Sequence, residues 1–279
     1  MMVSHTSALL LTDLDGTLLN LERKIGEQDQ QTLCDLAHEG IVRAAATGRT
    51  LHSTDQVLDN TSPFDYLLFS SGAGVMHWPS RTIVHTNKIS ASDVVETADV
   101  FTRNRVNFEI HHCIPDNHRF VYRQLTQDGT DFERRLAYAG NAGTPLVGKA
   151  ENFGVACQLM AVIPHDLALF ERLRSEISPS LSVVRATSPM DHRSIWFEVF
   201  PNGVSKAGGA EWLRNHLDIP HAQTYALGND YNDQDMLEWA THAAVVANAP
   251  KDLHGHFDVV DAHTRNPLTT AARQWCLLP

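Results

Sequence analysis

The sequence predicts an α/β protein: a doubly wound, Rossmann-like parallel sheet interrupted by an inserted α+β unit. Three observations predict it. Short apolar runs alternate with helical patterns near the start of the chain and again after residue 195. Each run ends in a polar cluster, most of them containing glycine. The stretch between has a different pattern and a different charge. Alternating strand and helix signals are the signature of right-handed βαβ units, in which ligands bind beyond the carboxyl ends of the strands.

The elements follow in order. Ala8 to Thr12 is a continuous apolar run, suited to a strand buried on both faces, and Asp13-Leu14-Asp15-Gly16-Thr17 ends it. A helical pattern from Gln28 to Glu39 closes at Gly40. Ile41 to Ala46 stops at Thr47-Gly48-Arg49, and a helix is expected over Leu51 to Leu58. Tyr66 to Phe69 stops at Ser70-Ser71-Gly72. The middle predicts helices over Ser92–Arg103, Asp131–Tyr138 and Asp166–Ile177, and strands over Val106–His112, Arg119–Arg123, Val155–Ile163 and Leu181–Ala186. After Ile195–Phe200 the first pattern resumes: a turn at Pro201-Asn202-Gly203 and a helix over Lys206–His216. A strand over Thr224–Leu227, short strands at Ala243–Val246 and Val259-Val260, and a helix over Leu268–Trp275 complete it. The expected division is a core of residues 1–84 and 194–279 with an insertion of 85–193. Charge supports it: the insertion holds 12 basic and 13 acidic side chains, the remainder 10 and 20.

Composition narrows the function classes. The 279 residues are 43% hydrophobic and 20% charged, enough to bury a core without disulfides or structural metals. A formal charge of -11 disfavours a phosphate-contacting nucleic-acid binder. No apolar run has the length of a membrane span, and Ala8 to Leu11 runs into acidic residues, unlike a signal peptide. Cys34, Cys113, Cys157 and Cys276 show no CxxC spacing and read as buried free thiols of a cytoplasmic protein.

Four clusters carry candidate chemistry. Asp13 and Asp15 read as a turn with a capping Asp, or as a carboxylate pair able to bind a hard cation or to divide nucleophile and acid/base roles. Thr47-Gly48-Arg49 reads as a helix cap, or as a phosphate cradle made of a hydroxyl, an approachable Gly48 amide and a helix start. Lys206 begins a helix, where the dipole does not favour a cation. Gly228-Asn229-Asp230-Tyr231-Asn232-Asp233 is a turn, or a second acidic cluster that completes a metal site.

In this order, and at strand ends, the clusters resemble the four motifs of the haloacid dehalogenase superfamily: Asp13 to Leu18, Thr47 to Arg49, Lys206 in Val204-Ser205-Lys206, and Gly228 to Asp233. The insertion resembles the large cap of the Cof-type phosphatase branch. The resemblance implies a Mg2+-dependent phosphatase of a small phosphorylated metabolite. Asp13 is then the nucleophile that becomes an aspartyl-phosphate, and Asp15 the acid and base. Thr47, Gly48 and Lys206 hold the phosphoryl group. Mg2+ is held by Asp13, by the Asp15 carbonyl and by the fourth motif. That motif usually reads Gly-Asp-x-x-Asn-Asp; here the ligand is the amide of Asn229, or Asp230 after a loop shift, with Asp233 in its usual place. Ser71-Gly72-Ala73 stands where related chains commonly have Asn-Gly-Ala. Within the insertion His111, His112, His118, Arg119, Arg123, Arg134 and Arg135 are candidates for substrate selection, or a solvated surface. The alternatives are a phosphomutase or phosphotransferase on the same fold and a catalytically weak phosphate-binding protein. A signalling receiver domain is about half this length and lacks such an insertion.

Overall fold

The computed structural model describes residues 8–127 and 130–278. The chain divides into two units at His85/Thr86 and Val204/Ser205. In chain order the first segment holds β1 (Ala8–Thr12), α1 (Glu27–His38), β2 (Ile41–Ala46), α2 (Leu51–Thr54), β3 (Tyr66–Phe69), β4 (Gly74–His77) and β5 (Thr82–Thr86). The second holds α3 (Ala91–Arg103), β6 (Asn107–His111), β7 (Phe120–Arg123), α4 (Phe132–Ala139), β8 (Gly143–Pro145), β9 (Gln158–Ile163), α5 (Leu167–Glu176), β10 (Leu181–Thr187) and β11 (Ile195–Pro201). The last holds α6 (Lys206–His216), β12 (Thr224–Gly228), α7 (Gln234–Trp239), β13 (His242–Val246), β14 (Asp258–Val260) and α8 (Pro267–Gln274).

In the first unit the strands run in the order β14-β13-β12-β1-β2-β3-β4-β5. The six from β14 to β3 are parallel, and β4 turns back antiparallel to β3. Side chains alternate along each strand, so Leu9, Leu11, Ala44 and Ala46 pack against Ala210 and Leu213 of α6 and Met236 and Leu237 of α7. Helices α1 and α8 pack on each other, joined by Thr32 and Thr269 hydroxyls 2.9 Å apart. Strand β1 is buried along all five residues because it lies between β2 and β12. From β1 the chain builds outward through β2 and β3 on one side and, later, through β12 and β13 on the other. That reversal is the switch point at which open α/β sheets bind ligands.

The structure departs from the sequence reading at several places. The second boundary falls at Val204/Ser205, not 193/194, because Ile195–Pro201 pairs antiparallel with β10 and β9 and so belongs to the inserted sheet. Helix α2 stops at Thr54 instead of Leu58. The Ser53 and Thr54 hydroxyls both bond the Thr50 carbonyl, a local competition that disfavours continuation. The β4–β5 pair, β8 and α7 were not anticipated. Of the cysteines only Cys157 is buried; Cys34 and Cys113 are half-buried and Cys276 is exposed, all as free thiols. Among the described residues no helix is long and apolar enough to cross a membrane.

The second unit has a six-stranded sheet in the order β10-β11-β9-β6-β7-β8. Phe108 and Ile110 of β6 enter its main core with Leu159, Ala161 and Phe197. Alternation puts Asn107, Glu109 and His111 on the opposite face. Glu109 is fully buried there. Arg135 Nε donates to both of its oxygens at 2.8 and 2.9 Å, and His111 Nε2 lies 3.1 Å away. Two candidate selector residues, His111 and Arg135, are thus committed to a buried carboxylate. Burial pushes the Glu109 carboxyl up, but Arg135 and His111 together outweigh it and hold it below its ordinary value near 4.5. A depressed carboxyl contributes stability that is present above the unfolded value and is lost as pH falls through the folded one. Glu109→Gln is therefore expected to cost about 3–5 kcal/mol at neutral pH, and to flatten the loss of stability below pH 4.5 relative to wild type. Denaturant unfolding of both proteins at pH 7 and pH 4 checks it; equal stabilities at pH 7 would contradict it.

Candidate active site

The four polar clusters meet in the first unit, where β1, β2 and β12 end. Asp13 continues β1, its amide donating to the Leu227 carbonyl of β12 at 2.9 Å. No helix starts after Asp13 or Asp15 before Glu27, so neither carboxylate is a helix cap. Thr47 is not a cap either: that position is taken by Thr50, whose side chain accepts from the Ser53 amide. Thr47 is instead buried, and its hydroxyl accepts from the Arg49 amide at 3.1 Å. The four-residue α2 provides no extended helix terminus beside Gly48.

Lys206 is the centre of the arrangement. It opens α6, capped by Ser205, whose hydroxyl accepts from the Gly208 amide at 3.1 Å. The side chain is buried, and Nζ donates to Asp13 Oδ1 and to Asp233 Oδ1, both at 2.6 Å. Asp233 uses its other oxygen to accept from the Asn229 and Asp230 amides at 2.8 and 3.0 Å. Both Asp233 oxygens are thereby engaged, and it ties the Gly228–Asp233 turn to Lys206. Gly228 makes room for this, since a Cβ there would lie 2.6 Å from Asp233 Cβ.

Two buried carboxylates against one ammonium leave an excess negative charge. Burial pushes the Asp13 carboxyl up to about 7, with Asp233 and Asp15 adding to the rise and Lys206 opposing it. Burial disfavours the Lys206 charge, but Asp13 and Asp233 outweigh it and hold the ammonium above its ordinary value. Asp15 is more open. Its carboxylate is clamped by Arg49, with Nε to Oδ2 at 2.5 Å and Nη2 to Oδ1 at 2.6 Å.

The Asn229 side chain of the fourth cluster reaches Asp13 and Asp15. One terminal atom of its amide lies 3.0 Å from Thr17 Oγ1 and 3.1 Å from both Asp13 Oδ2 and the Asp15 carbonyl oxygen. Gly16, at φ 75°, lets the loop pass under this amide; a Cβ there would sit 2.7 Å from Asn229 Nδ2. Asp230 takes part through its backbone amide.

Sequence reasoning missed three residues. Arg49 is one; its signal was its place in the Thr47-Gly48-Arg49 cluster. Ser71 and Asn232 are the others: a Cβ on Gly48 would lie 3.7 Å from Ser71 Oγ and 3.7 Å from Asn232 Nδ2, so both flank the open side of Gly48. Ser70 and Ser71 adopt left-handed backbone at φ 50° and 53°, uncommon for residues with a Cβ. The turn is held because Ser70 and Ser71 amides donate to the Arg49 and Thr47 carbonyls at 2.8 and 3.0 Å.

A family model described as haloacid dehalogenase-like hydrolase matches residues 10–266. The chain belongs to the haloacid dehalogenase-like hydrolases. Among curated relatives of this hydrolase, an HMP-PP phosphatase of Cronobacter sakazakii is 24% identical over 94% of this chain and 93% of that protein. A 5-amino-6-(5-phospho-D-ribitylamino)uracil phosphatase of Bacillus subtilis is 25% identical over 86% of each. The solved structure of the phosphatase BT1666 from Bacteroides thetaiotaomicron superposes with a TM-score of 0.78 at 23% identity, covering 100% of this chain and 98% of that one. Both of these curated relatives are named as phosphatases. Phosphatases of the family generally use Mg2+, and the oxygens around Asp13 fit such an ion. Cis ligands about 2.1 Å from an octahedral Mg2+ stand about 3 Å apart, which is the spacing of Asp13 Oδ2 and the Asp15 carbonyl from the Asn229 amide. Among the described residues no three His, Cys, Asp or Glu side chains surround a metal position; the oxygen set is one carboxylate, one backbone carbonyl and one amide.

Proposed function

We propose that this hydrolase is a Mg2+-dependent phosphatase of a small phosphorylated metabolite, working through an aspartyl-phosphate on Asp13. The observation that supports this most is the buried Asp13 carboxylate, held on one oxygen by Lys206 with the other beside the Asp15 carbonyl and Asn229. An Asp13 oxygen attacks phosphorus, the bond from phosphorus to the leaving oxygen breaks, and Asp15 gives that oxygen its proton. Water then attacks the aspartyl-phosphate, Asp15 takes its proton, the Asp13–phosphorus bond breaks, and inorganic phosphate leaves. Asp13, the Asp15 carbonyl and Asn229 would hold Mg2+, which would supply the positive charge that lets an anionic nucleophile meet an anionic ester. Phosphoryl transfer depends chiefly on positioning and charge stabilisation. An ammonium has three donors; two of those on Lys206 go to Asp13 and Asp233, and the third serves a phosphoryl oxygen. Thr47 and the Gly48 amide are the further groups assigned to the phosphoryl oxygens, with Ser71 and Asn232 beside Gly48. The relatives' substrates, an HMP-PP and a phosphoribitylaminouracil, make phosphorylated cofactor precursors and sugar phosphates the first compounds to screen. Four free thiols suit a reducing compartment such as the cytoplasm.

The test is phosphate release from a panel of phosphorylated sugars, nucleotides and cofactor precursors, with Mg2+ and with EDTA, alongside trapping of the acyl-phosphate. Mg2+-dependent release is expected. Transfer to an acceptor other than water would make the enzyme a phosphotransferase, and no release from any compound would overturn the reading.

Arg49 then acts through Asp15. A clamped carboxylate is aimed, and a guanidinium makes two parallel bonds that an ammonium does not. Arg49→Ala is expected to lower kcat by about 10- to 100-fold, with KM changed little and Arg49→Lys recovering only part. Steady-state kinetics on the best substrate check it; a loss confined to KM would make Arg49 a substrate-binding residue instead.

A further inference from the structure

The Asn229 amide stands in a position with two opposite uses. Its neighbours, the ionised Asp13 Oδ2 and the Asp15 carbonyl, each at 3.1 Å, are acceptors only. Opposite them an amide oxygen is repelled unless a cation lies between, whereas an amide N–H2 donates to them directly. The third neighbour, Thr17 Oγ1 at 3.0 Å, is a hydroxyl that serves both cases, donating to the amide oxygen or accepting from the amide nitrogen. The other terminal atom of the amide lies over Gly16, where the missing Cβ leaves room. The two ends of an amide are nearly the same size, so a half-turn about the last side-chain torsion moves no neighbour.

We propose that Asn229 is a cation-exchanging amide. Without a divalent cation its N–H2 faces Asp13 Oδ2 and the Asp15 carbonyl and partly neutralises the excess negative charge there; with one, it turns over and offers its oxygen as a ligand. A carboxylate at this position can do only the second. It adds a charge that strengthens cation binding, and without the cation it opposes Asp13 at about the same 3.1 Å. Asn229 thus exchanges cation affinity for a site that stays ordered when the cation leaves. The inference rests on the cation site of the proposed phosphatase, and on Asn229 alone for its two states.

The experiment compares wild type, Asn229→Asp and Asn229→Ala by thermal unfolding in EDTA and across Mg2+ concentrations, and by calorimetric Mg2+ titration; none of these needs turnover. In EDTA the Asp variant is expected to melt several degrees below wild type. It is expected to bind Mg2+ about tenfold or more tightly, and to gain the larger upward shift on Mg2+ addition. The Ala variant loses both uses: it is expected to melt below wild type in EDTA and to bind Mg2+ more weakly. If the Asp variant does not fold in EDTA, the Ala variant and the Mg2+ titrations still decide. An EDTA midpoint of either variant at or above wild type, or Mg2+ affinities equal in all three, overturns the inference and leaves the phosphatase reading standing. The expected shifts in a protein that releases phosphate from no substrate would uphold the inference and overturn that reading alone.

Discussion

Lys206→Met is expected to destabilise the protein by about 3–5 kcal/mol and to remove turnover. The wild-type ammonium lies 2.6 Å from both Asp13 and Asp233, all three being buried. Methionine keeps the volume and leaves two carboxylates facing each other with neither solvent nor a cation. Such a pair lowers its cost by taking up a proton. The variant's carboxyls therefore rise above their unfolded value near 3.8, its folded state binds the extra proton, and its stability falls as pH rises through that window. Denaturant unfolding at pH 5 and pH 8 should show the larger deficit at pH 8. The double variant Lys206→Met, Asp233→Asn should recover part of the stability and none of the activity. A deficit that does not change with pH would mean that lost packing, not unpaired charge, is the cost.

Asp13→Asn is expected to behave in the opposite way. Phosphate release should fall by about four orders of magnitude or more, since an amide does not form the acyl phosphate. The fold should not suffer. With Asp13 neutral, Lys206 faces one carboxylate, Asp233, and the excess charge is gone. In metal-free buffer burial raises the wild-type Asp13 carboxyl to about 7, so its ionised form weakens the folded state increasingly as pH rises from the unfolded value toward and past 7. The variant should thus match wild type in acid and exceed it above pH 7. Activity assays with EDTA-treated unfolding curves at pH 5 and pH 8 test both halves. Substantial hydrolysis by the variant would remove Asp13 from its proposed role.

Much of this site is legible in the chain because each group ends an apolar run. Asp13, Thr47 and the Gly228 turn follow strands that must be buried, and a buried strand aims its exit at the switch point. Partnership is what the pattern does not carry. The Thr47-Gly48-Arg49 cluster does not show that Arg49 meets Asp15, and the Gly228 turn does not show that Asp233 meets Lys206 and two backbone amides. His111 and Arg135 look like free selectors because the carboxylate that holds them, Glu109, sits at a strand position where alternation alone would not foretell an ion pair. The boundary error has the same origin. Ile195–Pro201 is a good strand in any sheet, and only its pairing with β9 and β10 says which one. The stop at Ser70-Ser71-Gly72 is visible in the sequence, but the four-residue β4 that turns back on β3 after it is too short to show a pattern.

The bonds that close the site span nearly the whole chain: 193 positions separate Asp13 from Lys206, and 212 separate Thr17 from Asn229. A ribosome makes about 5–20 residues per second, so residues 8–85 wait on the order of ten seconds before β12 is synthesised. Throughout that interval β1, an entirely buried strand in the finished fold, has β2 on one side and an open edge on the other. Unpaired edges of this kind are templates for association with other chains. The inserted unit, whose sheet draws only on its own residues, can complete its strands meanwhile. A fold whose buried Asp13–Lys206 pair joins residues 193 positions apart is therefore most exposed to aggregation during its own synthesis.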